Sequence, residues 1–244
     1  MMACPLPAHA QATKQLWGHL ALDWLATDRL TYELRIEPKV QPFGHGDEAT
    51  WISLSTTPIV EYAVSAWVDV RAESDIGYTK QSNNADTLRV TSRVGVHLHI
   101  FSRIMQRRVR KGAAREKHPN RRTNITTLVR FENENTFRTT DGTPVKSEWQ
   151  VRSRSELAYP LNRLQTTADG AIYVKSDGEL FFPVDSAVDG GIVSQVRLRA
   201  GVGYRRSFAW RFEALYVWTG ERNGESGVMA PQSHAVQVRL RRQF

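Results

Sequence analysis

Apolar and polar residues alternate along most of this chain, from about residue 15 to its last residue. Side chains two positions apart leave a strand on the same face, so each such run predicts a β-strand with one apolar and one polar side. In LTYELRIEP, Leu30, Tyr32, Leu34 and Ile36 oppose Glu33 and Arg35. In WVDVRAESDIGY, Val68, Val70 and Ala72 oppose Asp69, Arg71 and Glu73. TLRVTSRVGVHLHIF sets Leu88, Val90, Val94, Val96 and Leu98 against Arg89, Arg93, His97 and His99. SEWQVRSRSELAY sets Trp149, Val151, Leu157 and Tyr159 against Gln150, Arg152, Arg154 and Glu156. SQVRLRAGVGY places Arg197 and Arg199 on its polar face, and SFAWRFEALYVW places Arg211 and Glu213 there. The closing run VQVRLRRQF opposes Val236, Val238, Leu240 and Phe244 to Gln237, Arg239 and Arg241.

Weaker runs cover 16–25, 51–64, 123–137 and 169–182. The third carries Arg130 and Glu132. LWGHLALDWL in the first also fits a short amphipathic helix, but its neighbours favour a strand. Polar, turn-forming segments such as QPFGHGDEAT, KQSNNAD, TTDGTP and TTADG separate the runs. Counting gives about eleven strands and no break that would divide the chain. Single-chain bacterial outer-membrane barrels have even strand numbers. The expectation is therefore an all-β chain: one antiparallel transmembrane β-barrel of about 12 strands, or else 10, with a charged lumen.

Alternation alone does not say which face is inside. Three features favour polar-in. A barrel of this size is too wide for Val, Leu and Ala to fill, since about eight strands is the limit for a packed interior. A two-sheet sandwich escapes that objection. Aromatics gather toward strand ends, among them Trp17, Trp24, Trp51, Tyr62, Trp67, Tyr159, Tyr204, Trp218 and Phe244, as in the girdles of membrane barrels. The polar face is rich in Arg and Glu, which pair well where water is confined. The 205–207 turn predicts Arg199 opposite Glu213, and TTDGTP predicts Glu132 opposite Arg152.

Composition sharpens this. The chain has 244 residues, 41% hydrophobic content and a mean hydropathy of −0.44, and no apolar run approaches the roughly 18 residues of a spanning helix. That excludes helical spans and leaves barrel spans open. The net charge of +8 sits in 101–122, which holds nine Lys/Arg and one acid; taking these from 33 and 25 leaves 24 of each sign elsewhere. Such balance is what a paired lattice requires. The segment 101–122 reads as a solvated basic connector, with no nucleic-acid recognition motif and no nucleic-acid partner expected. Ala8-His9-Ala10 fits a small-x-small cleavage pattern, so 1–10 reads as a residual signal peptide and 11–244 as the barrel domain. Cys4 is the only cysteine and would leave with it.

The terminal VQVRLRRQF resembles the signal that the barrel-assembly machinery reads in bacterial outer-membrane proteins, with Val236, Val238, Leu240 and Phe244 carrying it. LVRFENENTF, RSRSELAYPL and RLRAGVGYRRSFAWRFEALYVW are similar to an uncharacterised barrel family, domain of unknown function 2490. The resemblance implies a barrel, an outer membrane of a Gram-negative bacterium as location, and the lipid bilayer with lipopolysaccharide as surroundings. It implies no substrate or reaction.

Chemistry is sparse. His97 and His99 share a face at the spacing of a strand-borne metal pair, but no third ligand of equal quality is visible, and no metal or cofactor is expected. His19, His45 and His234 show no Ser or acid partner, and the acid pairs Glu132/Glu134 and Asp177/Glu179 have Arg neighbours suited to ladder salt bridges. No catalytic constellation emerges, so no enzyme is expected. The reading is a narrow pore for small hydrophilic solutes, acidic ones favoured, whose candidate contacts are the inward Arg, Glu and His residues named above. The alternatives are an outer-membrane enzyme acting on lipid or lipopolysaccharide and a soluble ligand-binding β-protein.

Overall fold

A computed structural model describes residues 12–42, 50–82, 85–100, 123–184, 192–222 and 228–244. The expected signal residues 1–10, Cys4, His45 and the basic segment 101–122 lie outside the described residues. Eleven strands form one closed barrel: β1 (Thr13–Leu25), β2 (Leu30–Gln41), β3 (Trp51–Ala63), β4 (Val68–Gln81), β5 (Thr87–His99), β6 (Asn124–Arg138), β7 (Pro144–Pro160), β8 (Ala171–Pro183), β9 (Gln195–Arg205), β10 (Trp210–Arg222) and β11 (Met229–Gln243). No helix occurs among the described residues. LWGHLALDWL is a strand, and all four weaker runs became strands.

The count from alternation, eleven, is the number found; the parity rule that moved it to twelve or ten does not apply here. Each strand pairs with its sequence neighbour in antiparallel fashion, and an odd total leaves β1 and β11 pointing the same way. They close the ring as a parallel pair, from Thr13 opposite Ser233 to Asp23 opposite Gln243. The sheet is therefore mixed at one seam. The chain enters the barrel at one rim, here the entry rim, and β11 ends at the other, the exit rim.

The hairpins set the registers. Gly142 has φ +69° in the short β6–β7 turn and Gly170 has φ +72° at the end of the longer β7–β8 connection, a left-handed backbone that side chains disfavour. Beside Gly142 the Thr143 N–H donates to Asp141 at 3.0 Å, and that bond holds the carboxyl below its usual range. Two expected pairings shift. The β9–β10 hairpin closes over a wider turn, with Arg205 opposite Arg211, so Arg199 faces Val217 and Glu213 faces Gly203. In β6–β7 a register irregularity follows Thr136, and Glu132 faces Gln150 while Arg130 faces Arg152.

The barrel is inverted relative to a water-soluble one. Ile52 is 62% and Val94 61% exposed on the outer face, whereas Glu132 is 0% and Glu179 1% exposed on the inner one. Trp24, Tyr32, Tyr62, Tyr204, Phe212 and Phe244 stand outward toward the exit rim. The outer face is not wholly apolar, since Ser74, Ser92 and Asn133 align on it in register. Two aromatics depart from the girdle expectation. Trp17 is only 6% exposed, and its indole N–H donates to Gln15 at 2.9 Å inside the barrel. Trp51 also points inward, donating to Gln41 at 3.0 Å.

Candidate functional site

Alternation on eleven strands delivers the polar residues to one lumen. A central cavity of about 700 Å³ reaches both rims: Ser194 and Gln195 line it near the entry rim, Thr167 and Gln243 near the exit rim. Every candidate contact residue named from the sequence faces this lumen. All of them line the cavity except Glu73 and Glu132, which lie beneath it under neighbouring guanidinium groups.

The charges form layers joined across several strands. Glu132 binds Arg93 at 3.0 Å, Arg130 at 2.6 Å and Arg152 at 3.0 Å. The expected Glu132–Arg152 pair thus exists as a diagonal rather than a direct cross-strand contact. Glu179 binds Arg152 at 2.7 Å, Arg199 at 3.0 Å, Arg130 at 3.2 Å and Arg197 at 3.5 Å. Arg199 takes Asp177 as its second acid instead of Glu213. Arg154 shares Asp177 at 3.0 Å and reaches Glu156 at 3.3 Å. Glu73 binds Arg71 at 2.6 Å, and Arg89 binds Asp75 at 2.8 Å. Glu213 gathers Lys175 at 3.2 Å and Arg239 at 3.5 Å, and the Tyr173 hydroxyl donates to it at 2.7 Å. Near the exit rim Arg35 binds Glu33 at 2.8 Å, and Arg205, Arg211 and Arg241 stand side by side on β9, β10 and β11. Buried carboxylates at the wall with cations lying over them leave 15 Lys/Arg and 11 Asp/Glu facing the cavity.

Inward glycines make room for these long side chains. Gly203 lies between Tyr173 and Glu213 in register, and a Cβ there would overlap the Tyr173 ring. Gly95 lies between Arg71 and Arg130, and a Cβ would meet the Arg130 Cβ at 2.6 Å. Gly203→Val is expected to lower stability by about 1–3 kcal/mol, because an overpacked site must push the ring off Glu213. Gly178→Ala, whose Cβ would meet only Leu198 at 3.5 Å, should stay within about 0.5 kcal/mol. Urea midpoints of the refolded protein check both, and equal shifts would contradict the packing argument.

Near the entry rim cations lie over two inward aromatic rings. Arg197 of β9 lies over the Phe181 ring at 5.1 Å and reaches past β10 and β11 to the Trp17 ring of β1 at 5.5 Å. Lys39 covers Trp17 from the β2 side at 4.9 Å. Sequence reasoning missed this cluster, because Trp17 read as a girdle residue. His19, expected to lack an acid partner, has its Nδ1 2.9 Å from Glu37. His234 meets the Tyr216 hydroxyl on the outer face. His97 and His99 do share a face, with ring centroids 4.3 Å apart, and the structure adds two acids that the sequence had not joined to them, Glu61 of β3 and Asp69 of β4. The tight β3–β4 turn in AVSAWVD sets Asp69 opposite Ala63, two positions past Glu61, and the β4–β5 register sets Asp69 directly opposite His97.

A family model described as "Protein of unknown function (DUF2490)" matches residues 14–227. No curated protein matches the chain.

Proposed function

We propose that this chain, which belongs to the DUF2490 family, is an integral outer-membrane β-barrel that passes small hydrophilic solutes, anions preferentially. The observation that carries the reading is the polar cavity reaching from rim to rim inside a barrel whose apolar side chains point outward. In a bilayer core every backbone N–H and C=O must be satisfied within the protein, and a closed sheet does so. The surplus of cations facing the cavity favours anions, and the facing Arg and Glu rows orient a solute across the lumen. Arg197 and Trp17, which approach each other across the ring near the entry rim, form the constriction of this proposed pore. The barrel-assembly machinery is the partner for insertion, and the outer leaflet brings lipopolysaccharide against the barrel.

Planar-bilayer recording tests this. The refolded protein is expected to give small discrete conductance steps with a reversal potential on the anion side in a KCl gradient. Trp17→Ala should enlarge the unit step. A silent bilayer, or a protein that hydrolyses lipid instead, overturns the pore. Recovery of a monomer from the soluble fraction without detergent overturns the membrane location as well.

A further inference from the structure

The geometry points to a divalent-metal site of the zinc type on the lumen wall near the exit rim, built from Glu61, Asp69, His97 and His99. One ligand atom from each of the four side chains lies within 4.8 Å of all the others. Three adjacent strands supply them. His97 and His99 are successive inward positions of β5, Asp69 is the register partner of His97 on β4, and Glu61 stands on β3.

The donor set fits the ion. Two imidazole nitrogens and two carboxylate oxygens suit zinc and its neighbours in the transition series, whereas calcium and magnesium prefer all-oxygen shells. With bonds of about 2.0–2.1 Å, tetrahedral donors sit roughly 3.3 Å apart. His99 Nε2 and Asp69 Oδ2 are 2.7 Å apart and His97 Nδ1 and Glu61 Oε2 are 3.4 Å apart, so small rotations bring four donors around one centre. Asp69 is 0% exposed and fixed, and it anchors the site from below. Glu61, His97 and His99 line the cavity, so an ion can arrive through water.

With neutral imidazoles the quartet carries two negative charges. Arg71 is the competing cation, at 3.3 Å from Glu61. It also binds Glu73 at 2.6 Å and lies 3.8 Å from Glu33, so it keeps two acids if Glu61 turns to a metal. The site does not depend on solute passage, since a sealed barrel would hold it equally well.

The test uses the untagged full chain, refolded in detergent and stripped of metal. Titration with Zn²⁺ should leave one equivalent bound after desalting, with Ca²⁺ and Mg²⁺ not retained. His97→Asn and Glu61→Gln should each weaken binding at least as far as the roughly 10–100-fold typical of losing an outer-shell partner. Co²⁺ added to the unaltered protein should give the intense visible bands of a tetrahedral site, a readout that stands even where a variant fails to fold. No retained Zn²⁺, equal retention by both variants, or a Co²⁺ spectrum like that of the hydrated ion would each overturn the assignment.

Discussion

Glu179→Leu is expected to destabilise the barrel by about 3–5 kcal/mol, the range for removing one member of a buried ion pair. Glu179 is the acid that Arg130, Arg152, Arg197 and Arg199 share. These come from β6, β7 and β9, so one carboxylate on β8 ties together strands on both of its sides. Arg130 and Arg152 also hold Glu132, and Arg199 holds Asp177, but Arg197 has no second acid within ion-pair distance among the described residues. Losing Glu179 leaves four crowded cations with too few counter-charges in a confined, weakly screened space. Glu179→Gln keeps the shape and one of the two acceptor oxygens and should cost less.

Urea unfolding in detergent micelles measures the loss. Adding Arg152→Leu to Glu179→Leu should cost less than the two single changes summed, with a coupling of about 0.5–3 kcal/mol, since the second change removes one of the stranded cations. A loss under about 1 kcal/mol for Glu179→Leu would place the lattice with solvent-exposed salt bridges and refute its structural role. In bilayers the same variant should shift the reversal potential further toward anions.

Which residues share a face was readable because a strand's period is two, and barrel width, girdle aromatics and the Arg/Glu content of one face said which face is inside. Arg71, Arg93, Arg130, Arg152 and Glu132 needed only these features to be placed in the lumen. Which acid each Arg would meet was not readable. A shift of the β9–β10 turn carried Glu213 away from Arg199 and brought it to Tyr173 and Lys175 of β8, and turn width is a local property that alternation does not encode. Contacts across the lumen were further out of reach. Trp17 and Arg197 are 180 positions apart, and they meet only because the ring closes. The closure itself turned on a single number. Eleven runs were visible, and the habit of even counts displaced the observation, although a parallel seam satisfies the backbone of an odd barrel.

That seam is where the second large effect is expected. Parallel pairing is slightly weaker per residue than antiparallel pairing, so β1–β11 is the natural place for the ring to open. Arg241 of β11 spans it, with Nε 2.7 Å from Asp23 of β1 and a terminal nitrogen 2.8 Å from Glu33 of β2. Glu33 retains Arg35 if Arg241 is lost, but Asp23 has no other ion pair among the described residues. The Arg241 side chain is 39% exposed, so Arg241→Met should cost about 2 kcal/mol, between surface and buried pairs. On the outer face Arg242 lies over Phe244 at 4.5 Å and Trp210 at 5.0 Å, while Phe244 stacks on Trp24 of β1 at 5.4 Å. Arg242→Met removes only those ring contacts and should cost no more than about 1 kcal/mol. The two sides of one seam thus separate by their partners: carboxylates inside, aromatic faces outside. Hydrogen exchange resolves where the stability is lost. After Arg241→Met the amides of β1 and β11 should exchange faster than those of β5 and β6, because a seam opens locally before the barrel unfolds. Acceleration spread evenly over all strands would mean that the ring fails as a unit and that Arg241 holds no seam.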